Sequence, residues 1–317
     1  MTAAVILPKS YYSHVQKKFP VVYIITGFGL THYEAEGYKN TYSLPNEIDK
    51  IYIVLDADCP LGHHEFADSE NNGPQGDAFV KEFIPYIEKN FRAISNYHAR
   101  FITGHSSGGW SCLWLLVKYP DVFQSAWSVA PDPVDFRSFQ NINIYNDKNV
   151  FWIKGPGQKR MLLRYPGIYK PSYKEISDAE FTLGSGQQLP SFNAVFSKRG
   201  NNGNPESLYD RFTGMIDKKV VDDWKKYDIN LILGSNIKLA KELTSRIHIY
   251  VGMNDEFYYD KSVSLFANTL TALSVKEDIR FFQMKNHSGI LQATMKDVII
   301  GIDSAFFVGK RLGKFVN

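Results

Sequence analysis

Five short apolar runs, rich in β-branched and aromatic residues, punctuate the first 130 positions: AAVIL (3–7), VVYIIT (21–26), IYIVLD (51–56), RFIT (100–103) and SAWSVA (125–130). Each is too short for a helix of several turns, so each predicts a buried strand. Between the third and fourth runs, Phe79, Val80, Phe83, Ile84, Ile87 and Phe91 recur at three-and-four spacing. That spacing lays one apolar stripe along a helix, kinked at Pro85. The stretch WSCLWLLVKYP (110–120) predicts a second helix, stopped by Pro120. Strands alternating with helices imply right-handed crossovers and a mostly parallel sheet covered on both faces.

The rhythm stops near residue 136. From there to 245 the chain is aromatic-rich and broken by KGPGQKR, GSGQQLP and KRGNNGNP, with one clear helix around NIKLAKEL. Alternation resumes with RIHIYVG (246–252), KSVSLFANTLTAL (261–273), IRFFQMK (279–285) and a closing helix from about Ala293. The reading is one α/β domain over 1–317 that contains an insertion at 136–245. Most of the insertion's aromatics, including Tyr165, Tyr169 and Trp224, are expected to form its own small core.

Chemistry concentrates where RFIT turns into the second helix. Gly104-His105-Ser106-Ser107-Gly108 has the spacing G-x-S-x-G between a strand and a helix, where a strained turn presents a serine and small neighbours let strand and helix pass closely. Ser106 is the candidate nucleophile and Ser107 N–H a natural oxyanion donor. The competing reading is an ordinary serine helix cap. A serine hydroxyl needs a base oriented by a third group, and in this architecture the acid precedes the histidine. Asp255, in GMNDEF after one strand, and His287, in KNHSGI after the next, fill those places. Glu256, Asp132 and Asp135 remain rival acids. Gly27 and Gly29 in ITGFGLTHYE allow close backbone approach, making Phe28 N–H the second oxyanion donor. The segment LGHHEFADSENNGPQG is read as an active-site wall in which His63, Phe66, Asn71 and Asn72 touch substrate; Gly27, His105 and Trp152 are further candidate substrate contacts. His63, His64, Glu65 and Asp68 do not have the HExxH spacing of a zinc site, so no metal is assigned.

The chain has 317 residues, 44% hydrophobic, with a formal charge of +3 spread over small clusters. No basic stripe argues for nucleic acid, and no apolar run reaches the roughly 20 residues of a membrane span. Cys59 and Cys112 cannot build a disulfide framework. The start lacks a secretory signal pattern, which makes the cytoplasm the default expectation. Oligomeric state is left open, a homodimer included.

With these residues in hand the chain resembles the esterase family of α/β-hydrolases that includes S-formylglutathione hydrolase, enterochelin esterase, feruloyl esterases and mycolyltransferases. The resemblance covers 19–136 and 246–308 and rests on FPVVYIITGFG, FVKEFIPYIEKNF, ITGHSSGGWSCLWLLVKYPDVF, GMND and NHSG. It implies an α/β-hydrolase fold, a Ser106-His287-Asp255 triad, Phe28 and Ser107 as oxyanion donors, and a small-molecule ester as substrate with no metal or organic cofactor. It counts SAWSVA as the sixth strand and makes 136–245 a cap-like insertion after it. That insertion, with RFTGMIDKKVVDDWKKYDI, is similar to a segment of larger enterochelin-esterase-like bacterial proteins, which have more chain ahead of the equivalent of Ala4. Many relatives carry histidine where this chain has Thr26, so the support of the oxyanion loop is expected to differ. The expected activity is a serine carboxylesterase; an acyltransferase with the same triad and a silent binding protein of the same fold are the alternatives.

Overall fold

A computed structural model describes residues 1–41, 48–164 and 170–314. Seven strands make the main sheet: β1 (Ala3–Ile6), β2 (Val21–Ile25), β3 (Ile51–Leu55), β4 (Arg100–His105), β5 (Ser125–Val129), β6 (Ile247–Gly252) and β7 (Asp278–Phe282). Their spatial order is β1-β3-β2-β4-β5-β6-β7, with β1 antiparallel to β3 and every other pair parallel. All residues of β2, β3 and β5 are buried, as parallel strands covered on both faces require. Along β2 the period of two divides the core: Val21, Tyr23 and Ile25 pack on one face, Val22 and Ile24 on the other.

Helices α1 (Ala35–Thr41), α2 (75–90) and α3 (Ser107–Lys118) follow strands of the first half. The irregularity expected at Pro85 is a π-helical turn over Phe79–Phe83. The widened turn ends where the α-helix restarts at Ile84, which puts Pro85 in a first turn, where its missing N–H leaves no bond unmade.

Residues 136–245 hold α4 (Tyr173–Leu183), α5 (Gln188–Phe196), α6 (Lys218–Trp224), α7 (Ile229–Ser235) and α8 (Ile237–Glu242). Only α8 was legible as a clear helix. The glycines of GSGQQLP end α4 and precede α5, and Pro190 falls in the first turn of α5, where proline is tolerated. Phe136, Phe139, Phe192, Phe196 and Trp224 pack ring on ring, and this cluster continues into α3 through Trp110–Phe196 at 5.2 Å and Trp114–Tyr227 at 5.4 Å. The aromatics of the insertion therefore do not form a separate core. Pressed between sheet and insertion, α3 buries eleven of its twelve residues. Tyr165 and Tyr169 lie outside the described residues.

The chain closes with α9 (Tyr259–Ala272) and α10 (Gly289–Arg311), the latter covering the other face with Ile290, Met295, Val298, Ile299, Ile302 and Phe306. α10 begins four residues before the expected Ala293. Asn286 Oδ1 accepts the Gly289 N–H at 2.9 Å, so the helix starts inside the turn that carries His287. Among the described residues no helix is long and apolar enough to cross a membrane.

β3 and β4 leave β2 on opposite sides. The loops after β2 and β4 therefore meet at the carboxyl edge of the sheet where the strand order reverses, the place where open α/β sheets gather their ligands.

Candidate active site

The chain turns from β4 into α3 through Ser106 at φ 59°, ψ −125°, a conformation that costs about 1–3 kcal/mol for a non-glycine residue. Backbone bonds hold it there. Ser106 N–H donates to Val129 O at 3.0 Å, and Ser106 O accepts from Trp110 at 3.0 Å and Asp132 at 3.2 Å. The Ser106 side chain makes no capping bond to α3, which removes the helix-cap reading of this serine. It is partly exposed, whereas Ser107 is buried.

Neither Phe28 N–H nor Ser107 N–H has an acceptor among the described residues. Their loops touch: a Cβ built on Gly27 would lie 3.4 Å from Ser106 Cβ. Where many relatives have histidine, the Thr26 hydroxyl sits 3.0 Å from Leu30 O and 3.1 Å from Leu55 O. His63 Nε2 donates to Thr26 O at 2.9 Å. These bonds fix the peptide just ahead of Gly27-Phe28.

On the neighbouring loops, Asp255 is fully buried and its Oδ2 meets His287 Nδ1 at 2.7 Å. Asp255 Oδ1 accepts the N–H groups of Phe257 at 2.9 Å and Tyr259 at 3.2 Å, which fixes the carboxylate. A carboxylate only accepts, so His287 Nδ1 donates and Nε2 keeps its lone pair. Glu256 grips the same turn by its backbone, accepting His287 N–H at 2.7 Å and Asn286 Nδ2 at 3.0 Å. His105, next to Ser106, donates from Nε2 to His287 O at 2.8 Å, and the two rings are 4.6 Å apart. Desolvation, then the nearby His287, push His105 down to about 4, so it works as a neutral strut. The Ser106 hydroxyl itself points to Asp132 Oδ1 at 3.5 Å, and no hydrogen bond joins it to His287. Such contacts often close only when substrate is bound.

Over residues 1–294 the sequence matches the family described as "Putative esterase". The chain belongs to that family. Membership gives the reaction class, hydrolysis of carboxylic esters. No curated protein matches this esterase by sequence. Three solved structures are similar in fold. An S-formylglutathione hydrolase from Agrobacterium tumefaciens is 16% identical, with a TM-score of 0.59 over 96% of this chain and 90% of that one. A ferulic acid esterase is 15% identical, with a TM-score of 0.58 over 96% and 92%. The fluorophosphonate-binding serine hydrolase F of Staphylococcus aureus is 15% identical, with a TM-score of 0.57 over 95% and 91%. The fold of this esterase is the α/β-hydrolase fold, with the insertion leaving the fifth strand of its sheet, the one the family count makes the sixth.

The residues expected to form a substrate wall in this esterase lie as follows. The segment after β3 folds into two short ladders, Asp58–Cys59 with Gly62–His63 and Asp68–Ser69 with Gly73–Pro74, which turn its middle inward. His63 is buried on Thr26 O, and Phe66 is sealed in the core against His64 and Phe79. Asn71 Nδ2 donates to Ala194 O and Ser197 O, and Asn72 Oδ1 accepts from Cys59, bonds that tie this loop down. Trp152 lines a cavity of about 610 Å³ with Asn149, Pro156 and Met215, a lining that includes no residue of the elbow or the acid turn. His105 holds the His287 turn. Asp135 is engaged by Arg137 and Asn230.

Sequence reasoning missed one strut. Arg164 donates its backbone N–H to Glu256 O at 2.8 Å and its guanidinium to Met253 O at 3.1 Å, and pairs with Asp260. It ties the insertion to the acid turn. Beside it a cavity of about 880 Å³ runs between Met161 and Leu163 and the flanks of the Asp255 and His287 turns, Asn254, Glu256 and Asn286.

The buried histidines give this esterase a pH signature. Burial pushes His63 down to about 4 and His64 down to about 3, from an ordinary 6.5. Below pH 6.5 the unfolded chain takes up protons that the fold refuses. The stability is therefore present above 6.5 and lost as pH falls toward 4, by up to about 1.4 kcal/mol per pH unit for each ring. Melting temperatures measured from pH 7 to pH 4 are expected to fall steeply, and less steeply in a His63→Gln, His64→Gln double variant. Parallel curves for the two proteins would refute the assignment.

Proposed function

We propose that this esterase works by a Ser106-His287-Asp255 triad through an acyl-enzyme. The supporting observation is the 2.7 Å pair of Asp255 and His287, anchored by His105 to the strained turn that presents Ser106. His287 Nε2 takes the proton as Ser106 Oγ attacks the ester carbonyl. The tetrahedral oxyanion forms between the unpartnered N–H groups of Phe28 and Ser107, helped by the positive end of α3. Collapse expels the alcohol, which receives the proton from His287. Water, activated by the same imidazole, then frees the acid and restores the serine. Every proton passes through His287, so the cycle asks for no group outside the chain.

The substrate is a small ester. We assign the insertion the role of a cap, because Arg164 binds it to the acid turn and the adjoining 880 Å³ cavity has the size of a ligand pocket. Labelling by a fluorophosphonate probe tests the nucleophile. The wild-type protein is expected to label and Ser106→Ala to stay dark; equal labelling of both removes Ser106 from the mechanism.

A further inference from the structure

Beneath the elbow two carboxyl groups face each other. Glu65 arrives from the loop after β3 and Asp132 from the loop after β5, each about 1% exposed, and the charge of one acts directly on the other. Both also hold the first turn of α3. Ser107 Oγ donates to Asp132 Oδ2 at 2.6 Å, Ser106 Oγ lies 3.5 Å from Asp132 Oδ1, and Ser111 Oγ is 2.8 Å from Glu65 Oε2. Glu65 and the following Phe66 both have positive φ, 54° and 49°, an unusual backbone that aims this carboxyl inward.

No lysine or arginine among the described residues pairs with either group. His63 Nδ1 is 3.7 Å from Glu65 Oε2, but that nitrogen accepts the Glu65 N–H and the other donates to Thr26, so the ring is neutral. From α9, Tyr259 faces Asp132, and from the last loop His287 lies within its electrostatic reach. His64 stands behind His63, and Asp255 lies beyond Tyr259. Two buried carboxylates held by Ser107 and Ser111, serines one helical turn apart, resist being charged together in such surroundings.

We propose that Glu65 and Asp132 hold one proton between them and serve as a positioning pair for the nucleophile elbow, with the single charge on Asp132 orienting the Ser106 and Ser107 hydroxyls and facing His287 when that ring becomes cationic. The proton belongs with Glu65. Burial, then the charge of Asp132, raise the Glu65 carboxyl well above its ordinary range; burial raises Asp132 too, but the Ser107 hydroxyl favours its charged form. Protonated Glu65 donates to Asp132, which keeps its other lone pairs for the two serines. The role at Ser106 rests on the triad reading above, whereas the shared proton does not.

The sign of the pH effect follows. The fold keeps a proton that the unfolded chain releases above the ordinary carboxyl range, so this contribution falls as pH rises toward the folded value. Glu65→Gln keeps the hydrogen bond to Asp132 and removes the titration. Melting temperatures of wild type and Glu65→Gln should therefore diverge between pH 5 and pH 9, the variant gaining by several degrees at the alkaline end. Histidine contributions are common to both and cancel. Asp132→Asn removes the neighbouring charge but leaves Glu65 to titrate under burial alone, so it should diverge in the same direction by less, and it serves if the first variant does not fold. A flat difference across the range overturns the shared proton.

Kinetics with a short-chain nitrophenyl ester test the positioning. Asp132→Asn should lower kcat about tenfold at unchanged KM, and Glu65→Gln should displace the alkaline fall of kcat. Wild-type kcat in Asp132→Asn, or an unmoved pH profile in Glu65→Gln, overturns the positioning role. The melting experiment needs no substrate, so it stands even if Ser106 fails to label.

Discussion

His287→Ala is expected to lower kcat on a short-chain nitrophenyl ester by about 10⁴- to 10⁶-fold, as far as Ser106→Ala does, with the double variant no worse than either single one. Neither residue works without the other. The hydroxyl cannot attack until a base takes its proton, and the imidazole has nothing to activate without the hydroxyl. Asp255→Asn should cost about 10³- to 10⁴-fold, because an amide facing His287 Nδ1 favours the wrong tautomer. The neighbouring acids should behave differently. Glu256 bonds the His287 backbone, not its ring, so Glu256→Gln keeps an acceptor for that N–H and should change kcat only a few-fold. Asp132 meets serine hydroxyls, and its loss is expected to cost about tenfold. Steady-state kinetics of the five variants rank them directly. A silent Asp255→Asn beside an Asp132→Asn as damaging as His287→Ala would move the acid to the other loop.

The elbow and the two late turns were legible because each depends on local signals: small residues at a strand end, an apolar run before and a helix after. The geometry agrees at Asp255 and His287, which the structure brings to 2.7 Å although 32 positions separate them. The burial of the segment after β3 was not legible, for a physical reason. Its polar sequence looks exposed, but two-residue ladders and the positive φ of Glu65 and Phe66 fold it under α3, and neither residue type advertises that conformation. The same inward turn sends the four polar side chains of this segment to different partners. His63 goes to Thr26, His64 Nδ1 takes the Phe66 N–H, Glu65 goes to Asp132 and Asp68 bonds Tyr119. In the insertion one signal was present and unread: Ser172 and Glu175 form a reciprocal capping box at the start of α4. The shorter α6 and α7 begin at Asp217 and Asp228, single caps that polar loops carry as often. α6 packs Trp224 on Phe136, Phe139 and Phe196, and α7 buries Ile229 and Leu233, long-range packing that no local pattern shows.

Gly108→Ala is expected to destabilise the fold by about 4 kcal/mol or more, enough to leave little native protein. The first turn of α3 lies directly on the end of β2. A Cβ at Gly108 would stand 2.1 Å from Ile25 O and 2.8 Å from Thr26 O, and these are backbone atoms. Ile25 cannot yield, because β2 is paired on both sides, to Leu55 and to Gly104. Gly104 is bound by the same closeness, since its own added Cβ would fall 2.2 Å from Gly108 O. Any retreat of the helix would carry Ser107 N–H away from Phe28 N–H and open the proposed oxyanion site, so surviving protein should also be slow. Gly29 supplies the control. It has φ 74° with open space around its would-be Cβ, so Gly29→Ala meets only the backbone penalty of about 1 kcal/mol. Denaturant unfolding of the two variants separates steric collision from conformational strain. Equal midpoints would mean that strand and helix do not approach as closely as the elbow requires, and the case for a nucleophile at Ser106 would lose its structural footing.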